Sequence, residues 1–268
     1  GELLASAPGY SGESRVRPYD KELVSWPKHV APVPTADLVS EADRLTLSGW
    51  RHQMLRDPAD AAALRKDSGL GSPYVDPRLR FRPREYADFL LRLDQAGMLE
   101  WEVAERQATY STGFFFVEKS NGVNLRLVFD TRVANMSFSA PPSTRLPTPS
   151  AWSALEATSD FHVAQGDIQC AFYHMKLPPH LHRYFSLPVV PNRYLGFKRL
   201  NGVSIGTNSF LQPFVSVMPM GWSWALHFCQ SALTTAIRDA GIDDDAMPVA
   251  GAAVPPLRQD SDATAAGP

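Results

Sequence analysis

Two cysteines in 268 residues, Cys170 and Cys229, are too few for a disulfide framework, and neither stands in zinc-finger spacing. Reduced thiols in an intracellular compartment, nucleus or cytoplasm, are the corresponding expectation. No run of about 18 apolar residues is present, so no membrane-spanning helix and no membrane partner are expected. The start, Gly1-Glu2-Leu3-Leu4-Ala5, lacks a basic region followed by a long apolar core, and no signal peptide is read there. Charge of either sign is also short: the formal net charge is −2, which gives no ground for nucleic-acid binding by bulk charge. Acidic residues are scarcest between positions 161 and 230, where Asp167 stands alone against Lys176, Arg183, Arg193, Lys198 and Arg199. A solitary carboxylate in a mildly basic segment suits a metal site facing a polyanion; an ordinary solvated face is the alternative.

What is present is apolar substance. A 44% hydrophobic chain of this length buries a sizeable core, in one large domain or two small ones. Residues 1–35 are rich in Pro, Ser and Gly and read as irregular. Residues 36–65 read as one or two amphipathic helices broken near Pro58. Pro83 suits the first turn of a helix carrying Tyr86, Phe89, Leu90 and Leu93 at helical spacing, with Gly97 as its stop. Further helices are expected over 150–158, 168–176 and 222–239, the last with a stripe of Trp222, Leu226, Cys229, Leu233 and Ile237. Strands are expected over 161–167 and 215–218, and residues 241–268, rich in Ala, Pro and Asp, read as a disordered tail.

Residues 113–130 predict a β-hairpin: Phe114 to Val117 on one strand, Leu125, Leu127 and Phe129 alternating on the next, Asn121-Gly122 at the turn. A two-residue loop sets Val117 opposite Arg126, and period-two alternation puts Lys119 on Arg126's face. Two cations on one side of a hairpin are suited to gripping phosphates; a solvated hairpin face is the competing reading. Cys170 and His174, with His180 and His182 following, have the spacing of a conceivable zinc site, but no paired ligand cluster completes it.

These pieces resemble a known family. Gly113-Phe114-Phe115-Phe116-Val117-Glu118-Lys119, with Leu125-Arg126-Leu127-Val128-Phe129-Asp130-x-Arg132-x-x-Asn135, is similar to the fingers of retroelement (retrotransposon-type) reverse transcriptases. Gly166-Asp167-Ile168-x-x-Ala171-Phe172-Tyr173 resembles their first palm motif, and Met218-Pro219-Met220-Gly221-Trp222-Ser223 their second. The resemblance implies an α+β, right-hand polymerase fingers/palm fold. It would be incomplete here, with a partly helical N-terminal extension over 1–80, fingers and partial palm over 81–240 (palm core about 150–179 and 219–240) and a tail over 241–268. It implies a nucleotidyltransferase, an RNA-directed DNA polymerase acting on an RNA template/DNA primer duplex and deoxynucleotides in the intact parent. Two Mg²⁺ ions would stabilise the attacking and leaving oxygens. Asp167 would be the catalytic residue and bind both ions, and the Ile168 backbone carbonyl would complete one shell. Lys119 and Arg126 would hold the β- and γ-phosphates. Phe172, five residues after Asp167, would be an apolar wall that rejects a 2′-hydroxyl. Met220 would make only apolar contact with the sugar, and Gly221 would let backbone approach the nucleotide.

One departure governs the functional expectation. The family's third palm motif is an aromatic-x-Asp-Asp tip, and Gly241-Ile242-Asp243-Asp244-Asp245 has the carboxylates without the aromatic or a preceding apolar strand. The expectation is therefore a fingers–palm fragment truncated before that tip and inactive by itself. A non-catalytic nucleic-acid-binding scaffold derived from a polymerase is the alternative.

Overall fold

A computed structural model describes residues 15–27, 30–144, 146 and 168–242. In chain order it holds β1 (Val16–Arg17), β2 (Val33–Pro34), α1 (Thr35–Leu38), α2 (Glu41–Ser48), α3 (Trp50–Gln53), α4 (Pro58–Asp67), α5 (Pro77–Phe81) and α6 (Pro83–Gln95). There follow β3 (Leu99–Ala104), β4 (Gly113–Glu118), β5 (Leu125–Asp130) and α7 (Arg132–Asn135). Beyond the undescribed stretch come β6 (Met175–Lys176), α8 (Pro179–His182), β7 (Val190–Pro191), α9 (Asn192–Leu195), β8 (Arg199–Leu200), β9 (Val203–Ser204), β10 (Phe210–Val215) and α10 (Ala225–Asp239). Helix and sheet are mixed, as an α+β reading requires. No helix among the described residues is long and apolar enough to cross a membrane.

α6 forms as its sequence predicts. Pro83 occupies the first turn, where its missing N–H leaves no broken bond. Tyr86, Ala87, Phe89, Leu90 and Leu93 make one buried face. Gly97, at φ +71°, ends the helix while Met98 N–H reaches back to Leu93 O at 3.0 Å. The hairpin packs on that face: the Phe114 ring lies 4.9 Å from Phe89 and 5.6 Å, stacked, from Tyr86. Phe114 and Phe116 are fully buried, each contributing about 1.5–3 kcal/mol of apolar burial.

β4 and β5 pair antiparallel with Val117 opposite Arg126, the register that a two-residue loop predicts. The two ladders meet at Lys119 N–H to Asn124 O, 2.8 Å, and the turn inside is held by Asn121 Oδ1, which accepts from the N–H of Val123 and of Asn124. β1 extends this sheet along β4. In the second sheet β10 lies between β3 and β7. This strand begins earlier than the expected 215–218, and Pro213 sits inside it, contributing a carbonyl that accepts from Leu187 N–H at 2.9 Å.

The segment before residue 81 enters the same core, through Tyr19, Trp50 and Leu79. Its β2 pairs in parallel with β6, and Thr35 Oγ1 donates to Lys176 O at 2.8 Å. Residues 36–65 break into helices at more points than Pro58 alone, because Ser40 and Asp57 each cap a new start with a side-chain oxygen.

Two further expectations are corrected. Residues 168–176 do not form a helix: Cys170 adopts left-handed φ +58°, a 3₁₀ turn spans Ala171–His174, and β6 follows. α10 begins at Ala225 rather than 222 and buries Ala225 and Phe228, while Leu226 and Leu233 of the expected stripe stand 45% and 43% exposed. Trp222 and Trp224 are core, at 2% and 3% exposure. The expected helix over 150–158, the strand over 161–167 and most of the tail lie outside the described residues.

Candidate functional site

One face of the hairpin, the turn after position 167 and the loop before α10 converge on one cavity of about 410 Å³. Lys119 and Arg126 line it from the hairpin, Ile168 and Phe172 from the turn, and Met220 from the loop. The hairpin register explains the first pair, since alternation carries both cations to one face. Arg126 is exposed and Lys119 half-buried. Among the ion pairs of the described residues neither takes part, so both cations face the cavity without a carboxylate partner.

Cys170's left-handed backbone reverses the chain and lets Tyr173 N–H bond Cys170 O at 2.8 Å. That turn sets Phe172 at the cavity wall and buries the Tyr173 ring against Phe129, centroids 6.4 Å apart. Burial pushes the Tyr173 phenol well up, with Cys170 adding to the shift and Arg126 opposing it. The Ile168 carbonyl accepts from Ala171 N–H at 3.3 Å and keeps a second lone pair. Asp167 lies outside the described residues. Cys170 and His174 do not share an α-helical face, and no cluster of three or more His, Cys, Asp or Glu that could hold a metal occurs among the described residues.

Gly221 falls in the adjoining cavity, about 670 Å³, with Tyr74, Phe115 and Asp130. Its φ is +113°, and a Cβ there would stand 3.1 Å from both Phe129 O and Thr131 Oγ1. The close approach that requires glycine is thus to the chain's own β5 end. Asn135 fastens the same loop, donating from Nδ2 to Gly221 O at 2.9 Å and accepting from Ser223 N–H at 3.0 Å. Asp130 anchors the other side: it accepts from Tyr74 N–H at 2.7 Å and from Arg132 Nε and Nη2 at 2.8 and 2.9 Å. Burial pushes the Asp130 carboxyl up, but the Arg132 and Tyr74 hydrogen bonds outweigh it and hold the group below its ordinary value. The Asp130-x-Arg132-x-x-Asn135 run is therefore the brace that fixes residue 221 against the hairpin.

Sequence reasoning missed one wall of the first cavity. Val24, Ser25, Trp26 and Pro27 line it too. Leu125 N–H bonds Leu23 O and Ser25 N–H bonds Leu125 O, each at 2.8 Å, so this segment runs along the free edge of β5. The Arg92 guanidinium covers the Trp26 ring at 5.1 Å. A tryptophan in an otherwise Pro/Ser/Gly-rich stretch was the available signal. No family model and no curated protein matches the chain.

Proposed function

We propose that this chain is the fingers and part of the palm of a reverse-transcriptase-like polymerase, and that its cavity takes a deoxynucleoside triphosphate. The observation that carries the reading is the convergence of Lys119, Arg126, Ile168, Phe172 and Met220 on one cavity from three separated segments. Two cations without carboxylate partners suit the outer phosphates, where charge-assisted hydrogen bonds are strongest. The Phe172 ring offers apolar contact to a sugar lacking a 2′-hydroxyl, and Met220 adds to that wall.

Mg²⁺ would be held by Asp167 and the Ile168 carbonyl. The cavity's described lining adds no carboxylate to these, and the 268 residues contain no aromatic-x-Asp-Asp tip. A two-ion site is not completed by these groups, and no chemical step is assigned to a metal. Binding without polymerisation is the activity proposed for the chain by itself. A nucleic-acid-binding scaffold that keeps the polymerase shape is the second reading, resting on the same two cations taking strand phosphates instead of a nucleotide.

Equilibrium binding of a deoxynucleoside triphosphate and of the matching nucleoside separates these readings. A preference for the triphosphate that falls at least about tenfold in Lys119→Ala/Arg126→Ala is expected, each lost charged hydrogen bond costing about 1.5–3 kcal/mol where well formed. Equal affinity for triphosphate and nucleoside would sink the nucleotide reading. Duplex binding retained in that case would leave the scaffold.

A further inference from the structure

A second cleft, about 420 Å³, lies between α3, β3 and α8. Its centre is the buried Trp50 ring. The His180 imidazole stacks on it at 4.8 Å with planes 16° apart. The guanidinium carbons of Arg51 and Arg183 lie 5.1 and 5.4 Å from the same ring's centroid, and Arg183 also covers Tyr184 at 5.3 Å. Aromatic contact of this kind leaves the guanidinium N–H donors available to a ligand.

Those donors have no carboxylate. Among the described residues neither arginine joins an ion pair, although two carboxylates line the same cleft. Glu100 is engaged by Lys176 at 3.3 Å, and Glu102 stands exposed. A surface arginine is ordinarily solvated or paired; here two lie over one ring and line one cleft. His180 is held below its ordinary value by burial first, against a hydrogen bond with the Leu47 backbone that raises it, with His182, Arg51 and Arg183 adding smaller lowering effects.

We propose that this cleft is a phosphate-binding site, with Arg51 and Arg183 as the phosphate ligands and His180 beside them. A phosphate offers each planar guanidinium fork a pair of oxygens, and its charge relieves the repulsion between the two arginines. The phosphate comes from a phosphodiester strand or from a small phosphate ester. The site does not draw on the nucleotide reading of the Lys119 and Arg126 cavity, from which it shares no lining residue.

The test is titration of the full chain with inorganic phosphate and with a ten-residue deoxythymidine single strand, followed by tryptophan fluorescence. Saturable binding is expected, weakened at least about tenfold in Arg51→Gln/Arg183→Gln through loss of charged hydrogen bonds. Both titrations are made in a Lys119→Ala/Arg126→Ala background, which removes the phosphate ligands of the first cavity and keeps this result separate from the fate of the nucleotide proposal. Glu102→Gln, at an exposed position, should tighten phosphate binding severalfold by removing an opposing charge. If the strand binds more tightly than phosphate, and loses that margin in the arginine variant, the source is a phosphodiester. Equal affinities assign a small ester. Saturable binding of neither probe overturns the site, as does a folded arginine variant that binds like the parent. Should that variant fail to fold, unchanged affinity in Glu102→Gln overturns it equally.

Discussion

The β4–β5 hairpin and the C-terminal helix α10 are both secured to the rest of the protein, by opposite means. The hairpin is held by apolar contact: Phe114 and Phe116 are fully buried, and Phe89 lies 4.9 and 5.9 Å from their rings. α10 buries little beyond Ala225 and Phe228, and is tied to α2 by one carboxylate. Asp43 accepts from His227 Nε2 at 2.7 Å, from Ser40 Oγ at 2.9 Å and from Ser231 Oγ. His227 and Ser231 stand one turn apart on α10, so Asp43, with Ser40 N–H donating to Ser231 Oγ at 3.2 Å, fixes both the helix's position and its rotation. Packing without polar partners is insensitive to pH and intolerant of volume change. A polar tie reverses both properties.

The sharpest way to test that contrast is to remove volume from the hairpin. Phe114→Ala should destabilise the whole protein by about 3–5 kcal/mol, through lost transfer energy and the cavity left behind. Denaturant unfolding measures it, and a loss below 1 kcal/mol would mean the aromatic cluster is not what fixes the hairpin. Asp43→Ala should cost less, about 1–3 kcal/mol, by leaving half-buried donors unpaired. Its effect should be local, with hydrogen exchange accelerating in α10 before it does in β4 and β5. Uniform acceleration across both regions would erase the distinction.

Acid should give the smallest effect and the most selective one. Burial pushes the Asp43 carboxyl up, but hydrogen bonds from Ser231, His227 and Ser40 hold it net below its ordinary value near 3.8. A depressed carboxylate contributes stability that is complete above the unfolded value and lost as pH falls through the lower folded one. α10 protection should therefore decline below about pH 4, and Asp43→Ala should abolish that component. Asp130 has the same sign, so the hairpin's base loosens in the same window, but Arg132 keeps its charge there and the aromatic packing persists. Acid protection profiles identical in the two regions would break the comparison.

Legibility followed the same division. The Val117–Arg126 register was readable because one face of the hairpin is buried, and a one-residue slip would expose Leu125, Leu127 and Phe129 together. α6 was readable because its buried residues are large. α10 misled: Leu226 and Leu233 outweigh Ala225 on any apolar scale, yet Ala225 is the residue that is buried. β10 was expected over 215–218 and runs instead over Phe210–Val215, through Pro213, which a strand tolerates where only its carbonyl is used. Residues 24–27 lie between the two-residue strands β1 and β2, which carry no periodic signal, so Trp26 alone could have marked that stretch as cavity wall. Of the expected site residues, Lys119, Arg126, Ile168, Phe172 and Met220 share one cavity, whereas Gly221 belongs to its neighbour.

The parallel pairing of β2 with β6 also sets a timetable for synthesis. Thr35 and Lys176, which bond across that junction, are 141 positions apart. At about 5–20 residues per second, the ribosome releases the second partner roughly 7–28 s after the first. Throughout that interval Val33 to Leu38 can reach neither β6 nor α10, and the growing chain carries an unpaired strand edge beside apolar surface. Residues made 141 positions before their partner thus dock only after it, and a nascent chain halted before position 175 would present that edge to cellular chaperones.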